Sequence, residues 1–220
     1  MMKMTKECFS IPSHGLKLPY LRFLPENYTD GGTVRYPLMI FLCGSGECGD
    51  DLDLVAKHGP PKFAKAGEDY PFILVCPQIP EGDLWFAHIE TLNDWLDELI
   101  ETLPIDTSRI YLTGLSNGGI GTWLWGTHDP KRFAALVPVC GEGNETFSFM
   151  LTDIPIWAFH GDADPCVSCD CSRRLVEKIN NAGGNAKLTV YPGVGHDSWE
   201  QAYREPELIR WIIAQHRAGQ

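Results

Sequence analysis

At 220 residues with 44% hydrophobic side chains, the chain falls within the range of one domain able to bury a sizeable core. Its 29 acidic against 18 basic residues give a formal charge of -11; with no Lys/Arg run, that argues against nucleic acid or an anionic membrane surface as partner. No segment approaches the length of a membrane span, and residues 1–8 carry basic side chains without a following apolar run of signal length, so the expected compartment is the cytoplasm.

In chain order, residues 16–24 read as a strand at a sheet edge, where Pro19 costs no ladder bond, and Asp30-Gly31-Gly32 marks the turn that returns the chain. From Tyr36 onward, short β-rich runs alternate with helical patterns. The runs at 38–42, 72–76, 110–113, 134–137, 156–159 and 188–191 are apolar enough to be strands covered on both faces. Helices are expected over 89–103, stopped by Pro104, over 172–181, stopped by Gly183-Gly184, and over 206–215. This alternation predicts an α/β fold with a mostly parallel central sheet of about seven or eight strands, helices on both faces and residues 1–220 in a single domain.

The eight cysteines are expected to be reduced, since a chain of this size without an export signal can rely on its core. Cys166, Cys169 and Cys171 fall short of a closed zinc site for want of a fourth ligand and read as small residues opening a helix. No metal and no cofactor is expected. Gly44-x-Gly46-x-x-Gly49 after a strand formally matches a dinucleotide fingerprint. A pyrophosphate site needs a helix starting at the last glycines and an acidic residue near the end of the next strand; Pro60-Pro61 is expected to cut off any such helix, and the next strand runs into Cys76-Pro77.

The strand at 110–113 runs into Gly114-Leu115-Ser116-Asn117-Gly118, a G-x-S-x-G turn followed by a helical stretch to about Thr127. A sharp strand-to-helix turn holds a serine oxygen out where a base can reach it, and the helix N-terminus aims backbone N–H groups at a developing oxyanion. Ser116 is therefore the candidate nucleophile. Two later strands end in loops carrying the complementary groups, His160-Gly161-Asp162-Ala163-Asp164-Pro165 and Pro192-Gly193-Val194-Gly195-His196-Asp197. His196 can take and return the serine proton, and a buried carboxylate on its other nitrogen would fix the tautomer. Asp164 is assigned that part, with Asp162 a rival that spacing does not eliminate. His160 reads as a structural residue tying the acid loop down, whereas His14, His58, His88, His128 and His216 lie outside a post-strand loop in the required order.

These residues, together with residues 36–51, 109–121 and Gly195-His196-Asp197-Ser198-Trp199, resemble the small esterases of the α/β-hydrolase superfamily: the dienelactone hydrolase, phospholipase/carboxylesterase and feruloyl-esterase-like group. The resemblance covers most of the chain from Tyr36 on. It implies an α/β-hydrolase fold and a Ser116-His196-Asp164 triad, and it favours Asp164 over Asp162. It also implies an oxyanion hole formed by the backbone N–H groups of Ser45 and Asn117, in a loop reading Cys43-Gly44-Ser45-Gly46 where the family usually has His-Gly-x-Gly. Cys43 replaces that His, and Asn117 stands where Met or Gln is common.

The expected reaction is cleavage of carboxylic esters through an acyl-enzyme, on a small-molecule or polymer-borne ester of short acyl, aryl, feruloyl or acetyl-sugar type. Residues 139–154 are too few for a helical lid, so an open cleft is expected, walled by Gly44, Glu47, Trp85 and Trp199. Trp123 and Trp125 read as helix-packing residues. The same residues leave two alternatives: a serine peptidase of this fold, or a relative that kept the fold as a binding module without activity.

Overall fold

In a computed structural model, which describes residues 1–11 and 16–217, one eight-stranded sheet runs through the molecule. His14 lies outside the described residues. The strands are β1 (Lys3–Ile11), β2 (Leu16–Leu24), β3 (Tyr36–Leu42), β4 (Ile73–Pro77), β5 (Ile105–Leu115), β6 (Ala135–Val139), β7 (Ile156–Gly161) and β8 (Ala186–Tyr191), and their spatial order is β1-β2-β4-β3-β5-β6-β7-β8. β2 pairs antiparallel with both β1 and β4, while every pairing from β4 through β3 to β8 is parallel. This is the architecture of an α/β-hydrolase.

The predicted strands all form. β3, β4 and β6 are buried at every position, and because successive side chains point to opposite faces, both faces of the central sheet are covered. The covering helices are α1 (Gly59–Lys65), α2 (Ile89–Thr102), α3 (Asn117–His128), α4 (Cys169–Asn181), α5 (Trp199–Ala202) and α6 (Leu208–Ile213). Leu92, Trp95, Leu96 and Leu99 form the buried stripe of α2, at the three- and four-residue spacing that keeps them on one face. Trp123 and Trp125 are fully buried in α3, as helix packing requires. Cys169 and Cys171 open α4 behind the cap Ser168, whose hydroxyl accepts from Asp170 N–H, and the eight cysteines are all free thiols.

Two features depart from the sequence reading. β1 adds a strand outside β2, so residues 16–24 pair on both sides and do not form the edge expected of them; β1 mixes charged, polar and apolar residues with only Phe9 buried, and so has no apolar face to reveal it. Pro60-Pro61 begins α1 where it was expected to cut a helix off, since proline is tolerated in a first turn whose N–H groups have no intrahelical acceptor. No α-helix starts at Gly49, which is followed by a 3-10 segment at Leu52–Lys57, so the dinucleotide fingerprint lacks its helix. Among the described residues no helix is long and apolar enough to cross a membrane.

Candidate active site

Strand register decides which loops meet. Leu42 of β3 lies beside Gly114 of β5, Leu115 beside Val139 of β6, Val139 beside Phe159 of β7, and Gly161 beside Tyr191 of β8. The loops that follow these strands therefore emerge side by side at the carboxyl rim, with Ser116 between the loops of β3 and β6.

Ser116 stands at the turn from β5 into α3 with φ 53 and ψ -117, in the region that side-chain-bearing residues rarely adopt. The strain is held by Ser116 N–H to Val139 O at 3.0 Å, Ile120 N–H to Ser116 O at 2.9 Å, and the close approach of β3 to the turn. A Cβ on Gly118 would lie 1.9 Å from Leu42 O and one on Gly114 2.3 Å from Gly118 O, so no larger side chain fits either position.

His196 Nε2 lies 2.8 Å from Ser116 Oγ, and its Nδ1 lies 2.7 Å from Asp164 Oδ2. The only tautomer that serves both contacts has Nδ1–H donating to the carboxylate and Nε2 accepting from the hydroxyl. The side chain of Asp164 is completely buried, and its other oxygen accepts from Cys166 N–H at 2.8 Å and Val167 N–H at 3.0 Å. Burial pushes this carboxyl up, but the bond from His196 and the two backbone donors outweigh it and hold it below the usual carboxylate range. Asp162 instead accepts from Gly193 N–H at 2.6 Å, bracing the His196 loop from an exposed turn.

His160 is fully buried, donates from Nε2 to Val167 O at 2.9 Å, and accepts at Nδ1 from Ser172 Oγ at 2.8 Å. Desolvation lowers its pKa, so it stays neutral and fixes the acid loop, the structural part foreseen for it.

Ser45 opens a 3-10 turn (Ser45–Glu47) behind Gly44, and Asn117 is the first residue of α3; both are positions whose backbone N–H lacks an intrahelical acceptor. The Asn117 side chain donates to Asp83 O at 3.1 Å, tying the loop before α2 to the nucleophile turn.

The expected cleft walls are corrected in part. Trp85 is 1% exposed, its Nε1–H donates to Cys43 O at 2.8 Å, and its Cβ fills the space beside Gly121, so it supports the Cys43 loop from beneath and forms no wall. Its neighbours Leu84 and Phe86 are the ones turned outward, 44% and 54% exposed. Glu47 is also buried, raised in pKa by desolvation and directed at His58 (3.7 Å) and Lys57 (3.9 Å), so it offers little surface to a ligand. Gly44 is buried as well, under Leu115. Trp199 is half-buried, edge-on to His196 with ring centroids 5.5 Å apart. Sequence reasoning missed Cys140, whose thiol shares the site with Asp164 and His196; no residue pattern around it gives a signal.

Residues 83–206, more than half of the chain, match the family model described as Phospholipase/Carboxylesterase. The chain belongs to the phospholipase/carboxylesterase family. Among its relatives, an acyl-protein thioesterase 1 of Gibberella zeae is 29% identical over 171 residues, 74% of this chain and 63% of that protein. A solved thermostable esterase matches with TM-score 0.86 and 31% identity over 97% of this chain and 63% of its own, and a ferulic acid esterase with TM-score 0.73 and 18% identity over 96% and 98%. The last shares the fold, and the chain spans just under two thirds of the length of the other two.

Proposed function

We propose that this hydrolase is a serine esterase that cleaves carboxylic esters through an acyl-enzyme, with Ser116 as nucleophile, His196 as general base and acid, and Asp164 as the group that orients His196. The observation that carries the reading is the continuous hydrogen-bonded line from Asp164 Oδ2 through both nitrogens of His196 to Ser116 Oγ, at 2.7 and 2.8 Å.

In the first half-reaction His196 Nε2 takes the Ser116 proton as Oγ attacks the ester carbonyl, and the Asp164 carboxylate stabilises the imidazolium so formed. The carbonyl oxygen becomes an oxyanion facing the N–H groups of Ser45 and Asn117, where the positive end of α3 adds to their effect. The imidazolium then gives its proton to the departing alcohol. Water, deprotonated by the same nitrogen, repeats the cycle on the acyl-enzyme and frees the acid.

The substrates are short acyl, aryl, feruloyl or acetyl-sugar esters. Ser116 is only half-buried and His196 is 21% exposed, so the reacting atoms lie near the surface. The segment after β6 contains a seven-residue 3-10 stretch, Glu145–Leu151, and no cap helix, and the outward Leu84 and Phe86 lie on the loop bonded to Asn117.

The test compares hydrolysis of p-nitrophenyl acetate, butyrate and decanoate by the native protein and Ser116→Ala, with fluorophosphonate labelling alongside. Turnover and labelling that vanish together in the variant are the expected result. Unchanged turnover in Ser116→Ala would overturn the assignment, and a strong preference for decanoate would overturn the substrate class.

A further inference from the structure

The loop after β6 brings to the triad a thiol for which ester hydrolysis has no use. Cys140 is fully buried and, at φ 41, is one of two non-glycine residues at positive φ among the described residues, the other being Ser116. Its N–H donates to Phe159 O at 2.9 Å, which fixes it between the nucleophile turn and the acid-bearing strand. Its Sγ, a carboxylate oxygen of Asp164 and a ring nitrogen of His196 all lie within 4.8 Å of one another. A fourth polar group is present: the Ser198 hydroxyl, wholly buried, faces the Cys140 thiol and has no hydrogen-bond partner within normal range.

One sulfur, one imidazole nitrogen and one carboxylate oxygen around a small volume make up the donor set that zinc-like ions take, with a hydroxyl beside them. We propose that Cys140, Asp164 and His196 form an inhibitory binding site for a borderline-soft divalent cation, Zn2+ being the type, which turns off the triad by occupying its acid–base junction. This rests on the triad assigned above.

With metal–ligand bonds of about 2.0–2.3 Å, tetrahedral zinc needs donor atoms roughly 3.3–3.7 Å apart, so the Cys140 sulfur must draw in by at most about 1.5 Å, while Asp164 Oδ2 and His196 Nδ1, now 2.7 Å apart, must open by about 0.6–1 Å to admit the ion. His196 sits on a loop and is partly exposed, which gives the ion an entry path and the ring room to shift. The ion bonds the Cys140 sulfur and the Nδ1 lone pair. The thiol proton leaves to solvent, the Nδ1 proton is re-placed on Nε2 through solvent, and no oxidation state changes. Nε2–H is then a donor and cannot accept the Ser116 proton, so the nucleophile stays unactivated. The Cys166, Cys169 and Cys171 run forms no comparable group among the described residues.

The test uses the whole protein, Cys140→Ala, the volume-conserving Cys140→Ser, and Ser116→Ala, each checked for its native circular dichroism. Micromolar Zn2+ is expected to inhibit p-nitrophenyl acetate hydrolysis by the native protein reversibly, with EDTA restoring it. The Cys140 variants should keep basal turnover and need at least about tenfold more Zn2+, since even an indirect partner of a metal is worth that much. Independently of activity, Co2+ should give a thiolate-to-cobalt charge-transfer band in the native protein and in Ser116→Ala, and none in the folded Cys140 variants. Equal inhibition of native and Cys140 variants, activation by Zn2+, or a cobalt band that survives loss of Cys140 would each overturn the proposal. The cobalt band in Ser116→Ala reads the metal site alone, so it separates failure of this site from failure of the esterase reading.

Discussion

Replacing Asp164 by Asn changes almost nothing in size but inverts one hydrogen bond. The side-chain oxygen that accepts from Cys166 and Val167 N–H can stay where it is, which turns the new amide NH2 toward His196 Nδ1 at the 2.7 Å contact now made by Oδ2. Two donors cannot face each other, so His196 must switch to the tautomer with its proton on Nε2, and Ser116 loses its base. A wrong tautomer in a serine triad costs about 10^4 in kcat, equivalent to roughly 5.5 kcal/mol of transition-state stabilisation. Asp162→Asn is the matched control. Its amide oxygen still accepts from Gly193 N–H, and even complete loss of that bond is worth about 1 kcal/mol, so turnover should fall less than about fivefold. Steady-state kinetics on p-nitrophenyl acetate, with thermal denaturation to verify folding, measures both. If Asp162→Asn were the crippled enzyme and Asp164→Asn near normal, the assignment of the acid and the tautomer argument would both fail.

Trp85→Ala should destabilise the protein by about 3–5 kcal/mol through the cavity it leaves, whereas Trp85→Phe should lose about 1 kcal/mol with the bond to Cys43 O and lower kcat more than it raises KM; urea denaturation and kinetics separate the two. Gly118→Ala should fail to yield folded protein or lower the urea midpoint by an amount equivalent to more than about 4 kcal/mol, because Leu42 O occupies the place of the new methyl. His160 is held neutral by burial, so the unfolded chain takes up its proton first as pH falls below about 6.5 and stability declines from there at up to about 1.4 kcal/mol per pH unit. In His160→Gln that part of the decline should disappear from denaturation midpoints measured between pH 7 and 5, and an unchanged slope would refute it.

The parallel strands were legible because burial on both faces writes continuous apolar runs, as in β3 and β4, whose every residue is buried. β1 was not legible for the converse reason. It is an edge strand held by backbone pairing to β2, with Phe9 its one buried side chain, so neither a two-residue period nor an apolar run marks it. Trp85, Glu47 and Gly44 failed as walls on orientation and burial. Sequence marks Trp85 as a cleft wall, but its indole N–H finds Cys43 O and its Cβ packs beside Gly121, which leaves the neighbouring Leu84 and Phe86 turned outward in its place.

The distribution of the site over the chain follows from sheet order more than from local pattern. Ser116, the Asp164 loop and the His196 loop each follow a strand, and each could be read because its residues also form a short recognisable run. Cys140 reaches the same point by the same rule, since Val139 pairs in register with both Leu115 and Phe159, yet it stands alone in sequence. A residue placed by two neighbouring strands at once has its position set by long-range pairing, to which no local window is sensitive. Its conformation carries the same implication: a cysteine held at positive φ, where glycine would be unstrained, persists only if the surrounding register fixes the backbone. Cys140→Gly should therefore relieve the backbone strain while deleting the thiol, and basal turnover that survives it alongside lost Zn2+ sensitivity would show that the sulfur serves the metal and not the fold.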